Sequence, residues 1–589
     1  MNTLTWVLVG VAVYWFVLAA LKARGVFPDY VGVYGPLVTV HTKRGRRLID
    51  RIAAPKRFWR AWGNFGLGVA LVVMVGSVTF LALVAVATVQ NPPEPSVVNQ
   101  PQSALVIPGV NPFLPLSVAP EILFGLAVAL VVHEGGHGVL CRVENIDIES
   151  LGLLLLTVVP AGAFVEPNEE SQRTASRGGR ARMFAAGVTN NFALTVLAFA
   201  LLFGPVVGSL TVVPGATIAG SLPGSPAATA GIGGGTVITG VDDRAVESNA
   251  DLQAALSRAD ERTVTVHRRS EAPVEVRRSL LVTGVVRPNP LGLSRNQTVV
   301  AVNGTPVHTT SGLDAALRNR TVAAFRTADG ATTTGPAGAY VTVQADGPFA
   351  ASGGPNGTMV VTAIDGHRVA SRDDLGPVLE QYAPGEAVTV TGYVDGRVRR
   401  YDVTLGSRSG TEGAYLGVFT TPGVSGVTVS DFGVEPYPAG RYLSVLGGTC
   451  EGCPPVSLSF VQRTFVALQL PLVSVAGNPA LPYNFPGFSG DVLQFYEATG
   501  PLAALGQWVF LLANLLFWTG WINVNLGFFN CIPTFMLDGG HIFRAAAESV
   551  VARLPVSDGR RVVSAATVSV QLVMLGSLLL LLFGAQLLN

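Results

Sequence analysis

What this chain can fold into is constrained most by one apolar run, residues 118–140, that carries His133-Glu134-Gly135-Gly136-His137 near its end. A run of that length and polarity predicts a helix that crosses a bilayer. On a helix, positions i and i+4 share a face, so both imidazoles can reach one divalent ion. Glu134 lies beside them as a candidate general base for a water on that ion. In a soluble helix the same pattern is often accidental, its histidines merely bonding nearby carbonyls. Inside a bilayer ionisable groups are costly and unpaired polar groups more so, which favours a functional metal site here.

The rest of the chain agrees with a membrane setting. Of its 589 residues 49% are hydrophobic and only 13% are charged, which predicts a polytopic α-helical membrane protein. A net charge of +1 gives no electrostatic footprint for nucleic acid. Four cysteines in a chain of this length do not make a disulfide scaffold.

About six transmembrane helices are expected. Residues 1–117 hold two of them, at 5–21 and 65–89. The first run has no basic residue before it and is followed by Lys22 and Arg24, which favours a span over a signal peptide. The loop between them is rich in Arg and Lys (Lys43, Arg44, Arg46, Arg47, Arg51, Lys56, Arg57, Arg60) and is placed in the cytoplasm by the positive-inside rule. Residues 118–207 hold the HExxH helix, a re-entrant β-hairpin at 151–167 and a span at 183–207. Arg173, Arg177, Arg180 and Arg182 precede that last span on the cytoplasmic side. Residues 501–589 hold the last two spans, at 501–529 and 562–588.

Residues 208–407 differ in character. Apolar runs shorten, Gly and Thr increase, and a strand-turn-strand pattern recurs at 236–246, 298–307 and 359–369, each copy followed by a short helical pattern. The turns are Asp242-Asp243, Asn303-Gly304 and Asp365-Gly366, and the spacing near sixty residues predicts tandem modules in a β-rich, extracytoplasmic insert. Residues 408–500 are Gly/Pro-rich and least informative. They contain Cys450-Glu451-Gly452-Cys453, which without a second pair reads as a local disulfide rather than a zinc site.

Two histidines leave a catalytic zinc one protein ligand short. Asp538 is a candidate, at the end of an apolar stretch and followed by Gly539 and Gly540. His541 competes, because i+3 shares a face if a helix starts at Asp538. Asp538 could also be only a helix N-cap. Cys141, one turn beyond His137, could reach the metal, although a buried free thiol is the commoner outcome.

At these residues the chain resembles the site-2 protease family of intramembrane zinc metalloproteases. His133-Glu134-Gly135-Gly136-His137 matches the family's HExxH, and Asn530, Pro533, Leu537, Asp538 and Gly539 match its NxxPxxxLDG. Ala186-Gly187-Val188-Thr189-Asn190-Asn191 is similar to its AGPxxN, with Val188 where proline is usual. The resemblance covers residues 118–207 and 501–544. It implies Zn²⁺ held by His133, His137 and Asp538, Glu134 as base, and Asn191 helping to hold the substrate or its oxyanion. Residues 162–165 resemble the family's hairpin that aligns substrate as an added strand. Residues 224–232 and the strand after them resemble a bacterial-type PDZ domain, and residues 354–407 resemble another. The middle copy lacks the Ser-Pro-Ala element, so the pattern admits two modules or three.

The function implied is regulated intramembrane proteolysis. A multi-pass enzyme of the cell membrane, with its active site towards the cytoplasmic side, would cut transmembrane helices of membrane proteins, including ones already trimmed outside. PDZ-like modules would gate access, and the partners would be such substrates and the lipid bilayer. A non-catalytic PDZ membrane scaffold is the alternative, but it has no need of Glu134. A zinc or proton transporter would need several polar spans, which the second and sixth runs are not.

Overall fold

The computed structural model describes residues 3–588 apart from 29, 35–36, 43–44, 94–102, 104–105, 112, 157–158, 408–412, 448–457, 536 and 556. The Cys450/Cys453 pair lies outside the described residues. The chain forms two compact units. One comprises residues 1–211, 440–490 and 497–589, and the other residues 212–439 and 491–496.

The first unit is built on long helices: α1 (Thr3–Ala23), α2 (Lys56–Gln90), α3 (Ala119–Val143), α4 (Arg177–Leu201), α5 (Trp508–Asn530), α6 (Asp538–Val551) and α7 (Gly559–Leu587). Among the described residues, five stretches are helical, long and apolar enough to cross a membrane: Lys56–Gln90, Leu116–Val143, Arg177–Ser209, Trp508–Asn530 and Gly559–Leu587. Helix α1 adds a further apolar helix, described in its side chains from Val9 to Ala23.

Small residues let α3, α4 and α5 approach closely, as apolar helices in lipid require. A side chain at Gly125 would lie 3.0 Å from the Trp518 carbonyl, one at Gly136 2.8 Å from the Ala186 carbonyl, and one at Gly520 2.7 Å from the Phe199 ring. Between α3 and α4 the chain forms a hairpin. It joins two strands from the basic loop, giving a four-stranded antiparallel sheet in the order β1 (Val31–Tyr34), β2 (Leu37–Thr42), β3 (Ile148–Leu156), β4 (Val159–Pro167). The hairpin is therefore anchored by residues read from sequence as a plain cytoplasmic loop. Gly152 must stay bare there, since a Cβ would meet the Phe164 ring at 2.2 Å. Strand β4 is one edge of the sheet and packs beside α3.

The second unit holds three six-stranded antiparallel sheets with the same strand order. The recurring turns close as their sequences predict, with Asp242, Asn303 and Asp365 at φ of 51°, 50° and 47°. The short helices follow as Asn249–Arg258, Thr310–Leu317 and Arg372–Leu379, capped by Ser248, Thr309 and Ser371. Each module has its own apolar core. The chain passes through the three modules and then comes back. Val418–Thr420 pairs with Ala339–Val343 of the third sheet, Val427–Ser430 with Leu280–Val285 of the second, and Val434–Pro436 with Ala216–Ser221 of the first. The modules are thus nested, each completed by a strand from one returning segment. Buried Arg278 ties this segment to the first module. Its guanidinium donates to the carbonyls of Leu256 and Ala259 and to the Asp431 carboxylate, which also accepts the Thr310 N–H at 2.8 Å. A buried ion pair of this kind needs its remaining hydrogen bonds filled, and carbonyl partners supply most of them.

Candidate metal centre

Helix α3 turns His133 and His137 toward α4, where Gly187 leaves room for both rings. A Cβ at Gly187 would lie 2.7 Å from His137 Nε2 and 2.8 Å from His133 Cε1. Asp538 arrives as the first residue of α6, with Leu537 as the N-cap, so its carboxylate is free of a capping role. The chain reaches it through a tight approach. A Cβ at Gly539 would lie 2.5 Å from the Cys531 carbonyl, and one at Gly540 2.1 Å from that of Thr534.

Three atoms then face one point. His133 Nε2 is 3.1 Å from Asp538 Oδ2, His137 Nε2 is 3.3 Å from the same oxygen, and the two ring nitrogens are 3.1 Å apart. Among the described residues this is the one group of three or more His, Cys, Asp or Glu side chains arranged to hold a metal ion. His137 Nδ1 lies 2.8 Å from the Met183 carbonyl, which accepts only from a protonated nitrogen, so Nε2 keeps its lone pair. At His133, Asn191 Nδ2 lies 3.2 Å from Nδ1, while Asn191 Oδ1 is buried without a partner. Turning that amide over satisfies both residues: the oxygen accepts from Nδ1–H and His133 Nε2 also keeps its lone pair. Asp538 Oδ2 is itself buried with no satisfactory hydrogen bond. Three electron-rich atoms this close repel unless a cation lies among them. Tetrahedral zinc, with bonds of about 2.0–2.1 Å, sets its ligand atoms about 3.3–3.4 Å apart, so the residues fit that ion.

Glu134 points to the hairpin side. One carboxylate oxygen accepts the Val165 N–H of β4 at 2.9 Å. His541 is not in the triangle. Its ring stacks on Phe184, centroids 4.3 Å apart and 6° from parallel. Cys141 is fully buried among Val139, Leu140 and Met183, a free thiol away from the three donors.

Sequence reasoning missed three supports. Met183 orients His137, as described above. Asn190 donates to the Val132 carbonyl at 3.4 Å, and Trp62 of α2 donates to Asn190 Oδ1 at 2.9 Å. Met183, Gly187, Asn190 and Asn191 lie at i, i+4, i+7 and i+8, one helix face, so the periodicity around the AGVTNN segment held that signal. Nothing local marked Trp62.

A family model described as peptidase family M50 matches residues 121–575. An uncharacterized protein of Methanocaldococcus jannaschii is 26% identical over 204 residues, 34% of this chain and 52% of that protein. The chain therefore spans about half the length of this curated relative.

Proposed function

Because the chain belongs to peptidase family M50, the site-2 protease family, we propose that it is a zinc-dependent intramembrane endopeptidase that cuts transmembrane segments of membrane proteins. The observation that carries this reading is the triangle of His133 Nε2, His137 Nε2 and Asp538 Oδ2. A zinc ion held there would supply Lewis acidity to a scissile carbonyl and to water. Glu134 is the base. With one oxygen held by the Val165 amide, the other is left to accept a proton and pass it to the leaving amine. Peptide bonds in a helix are shielded by their own hydrogen bonds, so the substrate must unwind locally. Strand β4 is the sheet edge next to Glu134, and an unwound segment could add to it by main-chain pairing.

The geometry supports a different role for Asn191 than oxyanion binding. Its amide meets the ring nitrogen of His133 that faces away from the triangle, so it positions a ligand. In this reading the three nested modules are PDZ-like, lie outside the cytoplasm and gate access to a site nearer the cytoplasmic face. The strand, turn and helix order of each module supports the PDZ-like reading, and the distribution of Arg and Lys supports the placement of modules and site on opposite sides.

The test is Glu134→Gln. The full-length variant in detergent should keep stoichiometric zinc and lose cleavage of a transmembrane reporter. Loss of zinc, or near-normal turnover, would overturn the assignment.

A further inference from the structure

The stretch before α5 was the least informative in the sequence, yet α5 holds it by the backbone. Asn514 accepts the Phe488 N–H at 2.7 Å and donates to the Phe488 carbonyl at 3.0 Å. Trp518 Nε1 donates to the Pro486 carbonyl and Trp521 Nε1 to that of Leu468, both at 3.0 Å. These three residues lie 6, 10 and 13 positions after Trp508, the first residue of α5. At 1.5 Å per residue they sit about 9, 15 and 20 Å along a helix about 34 Å long, close to the thickness of a hydrocarbon core. The chain from Leu468 to Phe488 is therefore fixed alongside the middle of a candidate span and not beyond its end.

The segment is made for that depth. Helix Phe460–Gln469 runs into the 3₁₀ turns Leu470–Ala476, and Arg463 is the one Lys, Arg, Asp or Glu between residues 458 and 488. Irregular backbone at membrane depth must find its partners within the protein. Phe485 N–H donates to the Leu470 carbonyl at 2.8 Å, Ser474 N–H to Asn484 Oδ1 at 3.0 Å, and Tyr483 N–H to the Tyr442 hydroxyl at 3.0 Å. One face is buried through Ala467, Leu470, Val473, Leu481 and Phe485. The opposite face presents Val461 and Phe465, one turn apart, 75% and 65% exposed. Phe460 beside them meets the Phe203 ring at 5.8 Å, just past the end of α4, so the same surface is continuous with another candidate span.

We infer that residues 458–488 form a re-entrant element seated in the bilayer, and that the partner of its Val461/Phe465 face is lipid acyl chain. An apolar face one turn from the Leu468 anchor, continuous with the span that holds Phe203, would stand in hydrocarbon. A segment of this polarity lying in water would expose two large side chains for no gain.

The test places a nitroxide at Val461→Cys or Phe465→Cys in the full-length protein, reconstituted in phosphatidylcholine vesicles with Cys450 and Cys453 replaced by Ser. Val398→Cys, on a 56% exposed position of the other unit, is the aqueous control. Zinc content checks that each variant is folded. Hydrocarbon excludes polar solutes and dissolves oxygen, so the oxygen-to-nickel-chelate accessibility ratio should be at least about fivefold higher at 461 and 465 than at 398. Nickel access at 465 equal to that at 398 would place the segment in water and overturn the inference. Exclusion of both relaxing agents would mean a protein partner covers the face, and would overturn it equally.

Discussion

Replacing Asn191 separates two readings of the centre. Asn191 is fully buried, and its amide is the described partner of His133 Nδ1. Asn191→Leu keeps the volume and removes the acceptor, leaving the ring free to rotate or to carry its proton on Nε2, the atom needed for the metal. Loss of such an outer hydrogen bond typically weakens metal affinity by about 10–100-fold, which is about 1.4–2.7 kcal/mol. Zinc competition against a chelator of known affinity, on the full-length protein in detergent, reads this directly. Asn191→Asp restores an acceptor and should recover most of the affinity. An oxyanion donor behaves differently: its loss costs about 10²–10³ in kcat with metal binding intact. Unchanged zinc affinity in Asn191→Leu, with kcat down by that factor, would refute the positioning argument.

Gly187→Ala would push a methyl group against both imidazoles, at 2.7–2.9 Å, and should abolish zinc binding while the protein stays folded by circular dichroism. Asp538→Ala should lower zinc occupancy sharply and His541→Ala should not, because the His541 ring is stacked on Phe184 instead; metal loss following His541 would sink the triangle. In the second unit, Asp314 lines a cavity of about 550 Å³ with Asp373 and Asp374, and burial together with those neighbours pushes its carboxyl up to about 6. A carboxyl raised in the folded state opposes folding above its folded pKa and stops doing so as pH falls toward the ordinary 3.8. Asp314→Asn should therefore raise the melting temperature at pH 7.5 and leave it unchanged near pH 4; a shift of the same size at both would refute the account. Replacing residues 213–439 with a Gly/Ser linker should keep zinc and the cleavage of a short-tailed substrate, and weaken discrimination against a large ectodomain. A long-to-short cleavage ratio that does not change would show that the modules do not gate.

The candidate metal donors were legible because metal chemistry is local in sequence at one end and motif-bound at the other. His133 and His137 share a helix, and Asp538 follows a run that had to approach closely through Gly539 and Gly540. The supports were less legible, because a hydrogen bond from Trp62 to Asn190 spans 128 residues and depends on how two helices cross. The same limit hid the partners of the hairpin. Residues 151–159, apolar but too short to span, announced a hairpin, but β2 lies in a loop whose dominant signal was charge.

The nested modules show where sequence periodicity stops. Each outgoing copy repeats a strand, a tight turn and a helix, so local pattern found all three. The returning strands are only 3, 4 and 3 residues long, too short for an alternation signal, and their partners lie from 75 to 218 residues earlier. What pairs them is order: the last module made is the first completed, so one chain can close three sheets without crossing itself. The physical consequence is a constraint on dissection. A cut after Gly406 would leave all three sheets short of a strand, and the opened edges would invite pairing with other copies. Excision of 213–406 has the converse defect: it removes the sheets and leaves three returning strands without partners, so it should aggregate where excision of 213–439, which removes both, does not. Equal behaviour of the two variants by size-exclusion chromatography would refute the expectation that the orphaned strands pair with other copies.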